Sequence, residues 1–197
     1  MKVKEAKQIT GSLTRTSKMP GLSYSLPAWE CTTGSTLRQV KGSVCASCYA
    51  LKGNYTRYKA IKAAQYDRLE KIKNSLWVAA MVVQVKRQKY FRWHDAGDVQ
   101  DLDHLKKIYS VCRLTPEVKH WMPTREAWIK NHLASKPANL VIRFSPPMIG
   151  QRNDSWPNSS MDVETGATCP APKQNNSCGD CRACWDPLVK VVSYGKH

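Results

Sequence analysis

The sequence lacks any apolar run long enough to cross a bilayer: its longest uncharged apolar stretch, 75–85, falls well short of the roughly 20 residues required. The opening residues MKVKEAKQIT lack the apolar core of a signal peptide, so a soluble intracellular protein that does not engage a membrane is expected. Acidic residues are scarce, with 15 Asp+Glu against 31 Lys+Arg and a formal charge of +16. There is no internal repeat and no low-complexity tract. At 197 residues and 42% hydrophobic composition the chain is too apolar to be disordered and long enough to bury a core, which predicts a single domain over 1–197.

What it has in excess is cysteine. Eight are present, and in a reducing compartment such clusters bind metal more often than they form disulfides. Cys31, Cys45 and Cys48 form a C-x13-C-x2-C group in segment 1–57, where Pro20-Gly21, Pro27, Gly34, Gly42 and Gly53 interrupt any sustained period. Cys169, Cys178, Cys181 and Cys184 form C-x8-C-x2-C-x2-C in an extension, 150–197, whose stretch 150–185 is polar and has almost no aliphatic residues to bury. Cys112 falls on the apolar face of an expected helix and reads as a core residue.

Three cysteines two residues apart can bind three irons of a cubane while a remoter one closes the fourth corner, which favours a [4Fe-4S] cluster over zinc for the C-terminal group. Three thiolates alone cannot close a structural zinc site, but they suit a [4Fe-4S] cluster with one open iron. The alternatives are a zinc site, or a site shared between the two groups. One or two clusters are therefore expected, with these seven cysteines as the metal and cofactor ligands.

Between the cysteine groups, 58–149 reads as a βα core. Helical periodicity runs over 56–88 with a break after Asn74, and strands are expected at 90–94, 118–123 and 139–145. Helices are expected around 102–112 and from an N-cap at Thr124 to Ala134. Alternation at this spacing predicts an α/β fold: a partial (βα) barrel or open parallel sheet, flanked by irregular cysteine-rich N- and C-terminal segments. Only 120 residues separate Cys48 from Cys169, room for about four βα units at ~30 residues each.

In the strand RWHDAGD, alternation puts Arg92 and His94 on one face, and cations on a buried strand need a partner or a ligand. With Asp95, Asp98, Arg125, Arg143 and Ser145 they could line one pocket at the C-terminal strand ends, where such folds bind ligands. Arg92, His94, Asp98, Arg125 and Arg143 are the catalytic candidates, with an anionic small molecule as the expected substrate. Each also has a structural reading: Asp98 as a helix cap, the arginines in ion pairs with Asp95 or Asp98, and His94 as a hydrogen-bonded core group. Residues 38–92 carry 13 Lys+Arg against two acidic residues, interleaved with tyrosines, which suits nucleic acid or an acidic host protein as well as a simple solvated face.

The segments KMPGLSYSLPAWEC, GSVCASCYALKG, RWHDAGD, HWMPTRE, NLVIRFS and CGDCRACWD resemble a family of small cysteine-rich proteins encoded by bacteriophages and known by a gene-product number. The resemblance covers nearly the whole chain and implies a phage protein made in the host bacterial cytoplasm, but it brings no reaction with it. More loosely, three cysteines before βα units and four after them are similar to radical S-adenosylmethionine enzymes with an auxiliary cluster. That similarity implies that the open iron binds the amino and carboxylate groups of S-adenosylmethionine. The chain departs from that pattern in the thirteen residues between Cys31 and Cys45, in Tyr49 following the last cysteine rather than an aromatic preceding it, and in having no clear Gly-Gly-Glu segment.

Overall fold

The computed structural model describes residues 1–195; the last two residues of the expected extension, 196 and 197, lie outside the described residues. The elements in chain order are α1 (Val3–Thr10), β1 (Thr14–Arg15), β2 (Leu22–Tyr24), α2 (Thr32–Leu37), α3 (Asn54–Arg57), α4 (Lys59–Lys71), α5 (Trp77–Val85), β3 (Tyr90–Trp93), α6 (Leu102–Arg113), β4 (Lys119–Thr124), β5 (Leu140–Phe144), β6 (Ser159–Val163) and β7 (Val191–Gly195). Ala127–Ser135 is helical as expected, but as a 3-10 helix. Thr124 does not cap it: Thr124 ends β4, and its hydroxyl donates to Asp98 Oδ1 (2.8 Å).

The seven strands lie in one open sheet in the order β1-β2-β3-β4-β5-β6-β7, with β1 antiparallel to β2 and every later pair parallel. The β6–β7 connection crosses one face of the sheet, whereas α5, in the β2–β3 connection, and α6, in the β3–β4 connection, pack on the other. On that face Phe91, Trp93, Met122, Leu140, Ile142 and Phe144 pack on Trp77, Met81 and Val85 of α5 and on Leu105, Ile108 and Cys112 of α6. Cys112 is fully buried there.

Strand alternation turns Tyr90, Arg92, Trp121, Val141 and Arg143 to the opposite face. The C-terminal segment covers it. Trp185 meets the rings of Trp121 (5.2 Å) and Tyr90 (5.4 Å), and its indole N–H donates to the Phe91 carbonyl (3.0 Å). Both end segments are more regular than the sequence suggests. The first supplies α1 and the parallel strand β2, and the last supplies β6 and β7, which run side by side over Ser159–Val163 and Val191–Gly195. β1 and β2, at two and three residues, carry too few alternations to stand out from proline- and glycine-broken surroundings, and β6 lies among polar residues.

Candidate thiol site

The chain from β2 to Cys48 crosses the C-terminal strand ends and is tied to three of the loops there. Leu26 N–H donates to the Ala96 carbonyl after β3 (2.9 Å), and Val44 N–H to the Pro147 carbonyl after β5 (2.9 Å). Glu126, just after β4, accepts from the Thr33 N–H (3.0 Å), the Thr33 hydroxyl (2.9 Å) and the Trp128 indole (3.1 Å). That carboxylate fixes the first turn of α2, whose N-cap is Cys31. Cys31 and Cys48 pack with Leu51 and Tyr55 around Ala28, Ala50 and Ala96.

The three thiols are neighbours. Gly34 lies between two of them: a methyl on its Cα would meet the Cys31 Cβ at 2.9 Å and stand 3.7 Å from both the Cys31 and Cys45 sulfurs. The sulfurs are therefore no more than twice that distance apart, with bare backbone between them, a cradle that any larger residue would fill. Burial pushes the Cys31 thiol well up, and the charges of Asp98, Cys48 and Cys45 push the same way. Burial also raises the Cys45 thiol, against the opposing pull of Arg125.

The second group lies against the sheet face that carries Arg92 and Arg143. Cys169 N–H donates to the Ser193 carbonyl on β7 (2.9 Å), and Cys178 N–H to the Lys18 carbonyl between β1 and β2 (2.8 Å). Cys184 Sγ is 3.1 Å from the Tyr194 hydroxyl. Burial pushes the Cys184 thiol up to about 11, while the Tyr194 hydrogen bond, Arg143 and Arg92 oppose the shift. Cys178 is raised first by burial and then by the Cys169 charge, so Cys169 neighbours both Cys178 and Cys184.

All eight cysteines are free. Among the described residues no group of three or more His, Cys, Asp or Glu side chains could hold a single metal ion. A cubane makes a different demand, because each thiolate binds its own iron and the sulfurs stand further apart than around one zinc at 2.3 Å.

The five catalytic candidates have very different surroundings. Arg143 is wholly buried, and its five N–H donors meet the carbonyls of Cys184, Ser159, Val189, Ala183 and Asp186 at 2.7–3.3 Å. No donor is left for a substrate. Arg125 donates to the Ser145 and Pro146 carbonyls and lies 3.7 Å from Asp162, bracing the loop after β5. Asp98 accepts from the Val99 N–H, the Thr124 hydroxyl and the Arg125 N–H; the helix cap is Asp101, which accepts from the His104 N–H (2.7 Å).

His94 does not share a face with Arg92. It follows the last residue of β3 with φ of 56°, which breaks the alternation and turns its ring to the helix side, 5.4 Å from the ring of His104. Arg92 lies over the Trp121 ring (4.5 Å) and donates to the Tyr49 hydroxyl (3.4 Å), with Nε buried and without a hydrogen-bond partner among the described residues. Tyr49 follows Cys48, and the Arg92 charge also acts on Cys184 and Tyr194. Arg92 thus stands between the two cysteine groups. Asp95 accepts from the Tyr55 hydroxyl at Oδ2 (2.9 Å) and from Tyr49 at its carbonyl. Glu126, Gly34 and Trp185 were not legible as site residues; the one local signal is that Gly34 and Trp185 lie within three residues of a cysteine.

Three buried histidines give a pH prediction. Burial holds His104 down to about 4 and His120 to about 3, and His94 is lowered well below its ordinary value by burial and by His104. All three stay neutral in the folded state where the unfolded chain protonates them, so their stability is present above pH 6.5 and lost as pH falls. Asp98 runs the other way: burial raises it to about 6, so its folded carboxyl keeps a proton that the unfolded chain releases above about pH 4. The net near pH 5 is about two protons, or about 2.7 kcal/mol lost per pH unit of acidification. Urea midpoints at pH 7, 6 and 5 measure it, and His120→Gln should roughly halve the slope.

The fold and site define a mostly parallel α/β protein with thiols gathered at the C-terminal strand edge and a second cysteine group on the face opposite the helices. The chain matches the family model described as Gene product 88 over residues 1–187, and it belongs to that numbered phage gene product family. No curated protein and no solved structure matches it. No helix among the described residues is long and apolar enough to cross a membrane.

Proposed function

We propose that this is an iron–sulfur protein in which Cys31, Cys45 and Cys48 hold a [4Fe-4S] cluster with one iron open, and Cys169, Cys178, Cys181 and Cys184 hold a second, closed cluster. The observation that carries the reading is three free, neighbouring thiols, those of Cys31 and Cys45 flanking the bare backbone of Gly34 and that of Cys48 beside them, at the strand edge where parallel sheets bind ligands. The spread of the thiols suits a cubane better than one ion. When bound, such a cluster supplies an electron or a Lewis-acidic iron, for which S-adenosylmethionine is one candidate ligand.

The chain's own residues would do the rest as an enzyme acting on an anionic substrate. Glu126 fixes the Cys31 turn, Asp98 and Arg125 tie together the loops after β3, β4 and β5, and Arg92 is the candidate cation, with a donor that is unpartnered among the described residues. The rival reading is a non-catalytic module in which zinc or a closed cluster serves only to fold the polar tail. Arg143, Trp185 and the β6–β7 pairing speak against it, because protein groups already hold that tail.

Anaerobic purification followed by iron, acid-labile sulfide and zinc analysis tests the proposal. Two cubanes give about eight irons and eight sulfides per chain. A reduced EPR spectrum that changes on adding S-adenosylmethionine would identify that ligand. Zinc without sulfide would overturn the reading.

A further inference from the structure

We propose that the carboxylate-free stretch 31–66 forms a docking surface for a nucleic-acid strand, leading directly to the Cys31–Cys45–Cys48 site. It holds six Lys and Arg and no Asp or Glu. Among the described residues none of Arg38, Lys41, Lys52, Arg57, Lys59 and Lys62 has a carboxylate partner, and ion pairing along α4 begins only at Asp67 with Lys71. Of the twelve residues 52–63, all but Tyr55 are exposed. A helix start with no buried stripe gains nothing from packing on its own fold.

This segment is also aromatic and apolar where solvent would favour polar groups. Tyr58 is 51% exposed and Ile61 38%, and the i, i+3 spacing puts them side by side between Lys59 and Lys62. Tyr49, next to Cys48, is 42% exposed. Cations that follow a phosphate backbone, with rings on which bases stack, are the requirements for holding a single strand. An acidic peptide would meet the charge but not the rings. Tyr55 connects this surface to the thiols, packing with Cys31 and Cys48 while its hydroxyl reaches Asp95. That the strand is the substrate of the thiol site rests on the iron–sulfur reading; that it binds does not.

The test is fluorescence anisotropy with a fluorescein-labelled 20-nucleotide single strand, using the full chain in its metal-loaded and metal-free forms. A triple variant, Lys52→Ala, Arg57→Ala and Lys59→Ala, removes three exposed cations. A matched variant, Lys86→Ala, Arg87→Ala and Lys89→Ala, removes three exposed cations at the opposite edge, just before β3. At about 0.7 counterions per phosphate contact, the first should weaken binding about 100-fold in 0.1 M salt and lower the salt slope by about 2. The matched variant should lose far less, and Tyr58→Ala should cost about tenfold at an unchanged slope. Equal losses from the two triple variants, or polyglutamate competing as well as unlabelled strand, would overturn the inference. A chain that binds the strand but carries no iron would overturn the iron–sulfur reading and leave the surface standing.

Discussion

Arg143→Met should lower the stability of the chain by about 3 kcal/mol or more, because the carbonyls of Cys184, Ser159, Val189, Ala183 and Asp186 lose a charged donor at once, and hydrogen bonds to a charged group are worth roughly 1.5–3 kcal/mol each. Val189, Ala183 and Asp186 keep a second donor, from Asn158, Asp186 and Val189 respectively, which limits the loss. Among the described residues the buried guanidinium has no carboxylate partner; the oxygens of the 183–189 segment and of Ser159 solvate it instead. Arg143→Lys keeps the charge but offers three donors in place of five, so its loss should be intermediate. Urea unfolding of the three proteins decides the matter. A methionine variant within about 1 kcal/mol of wild type would mean that the tail is held elsewhere.

The second large effect concerns composition. Cys48→Ala should halve iron and sulfide, from about eight to about four per chain, and abolish any activity while leaving the C-terminal cluster spectroscopically intact. Cys184→Ala should show the reverse pattern of cluster loss. Retention of both clusters in the Cys48 variant would remove it from the ligand set. Loss of both in either variant would point to one site shared by the two groups.

The parts of the fold that could be read from sequence are those with enough periods to count. β3, β4 and β5 and the helices α4, α5 and α6 follow the expected alternation and helical spacing, and their order identifies a parallel sheet. β2 has three residues and β1 two, and β6 lies in the aliphatic-poor stretch with β7 as its partner beyond it, so their pairing depends on residues far along the chain. The candidate site divides in the same way. Cysteine spacing is local, so the two groups were legible. The environments of Arg143, Asp98 and His94 are not local: Arg143 finds its partners about forty residues downstream, and a single φ of 56° reverses the face of His94. Glu126 gave no signal at all, because its partner Thr33 is 93 residues away.

The strictly sequential strand order has a consequence for synthesis on the ribosome. No later strand is inserted between two earlier ones, so the sheet can grow by addition at one edge as the chain emerges. β5 adds Arg143 to the growing sheet while four of its five carbonyl partners, in 183–189, are not yet made. A nascent or truncated chain that stops before them exposes a cation and the bare face around Trp121. Such a chain should be recognised by chaperones and proteases as unfinished until the last cysteine segment closes over it.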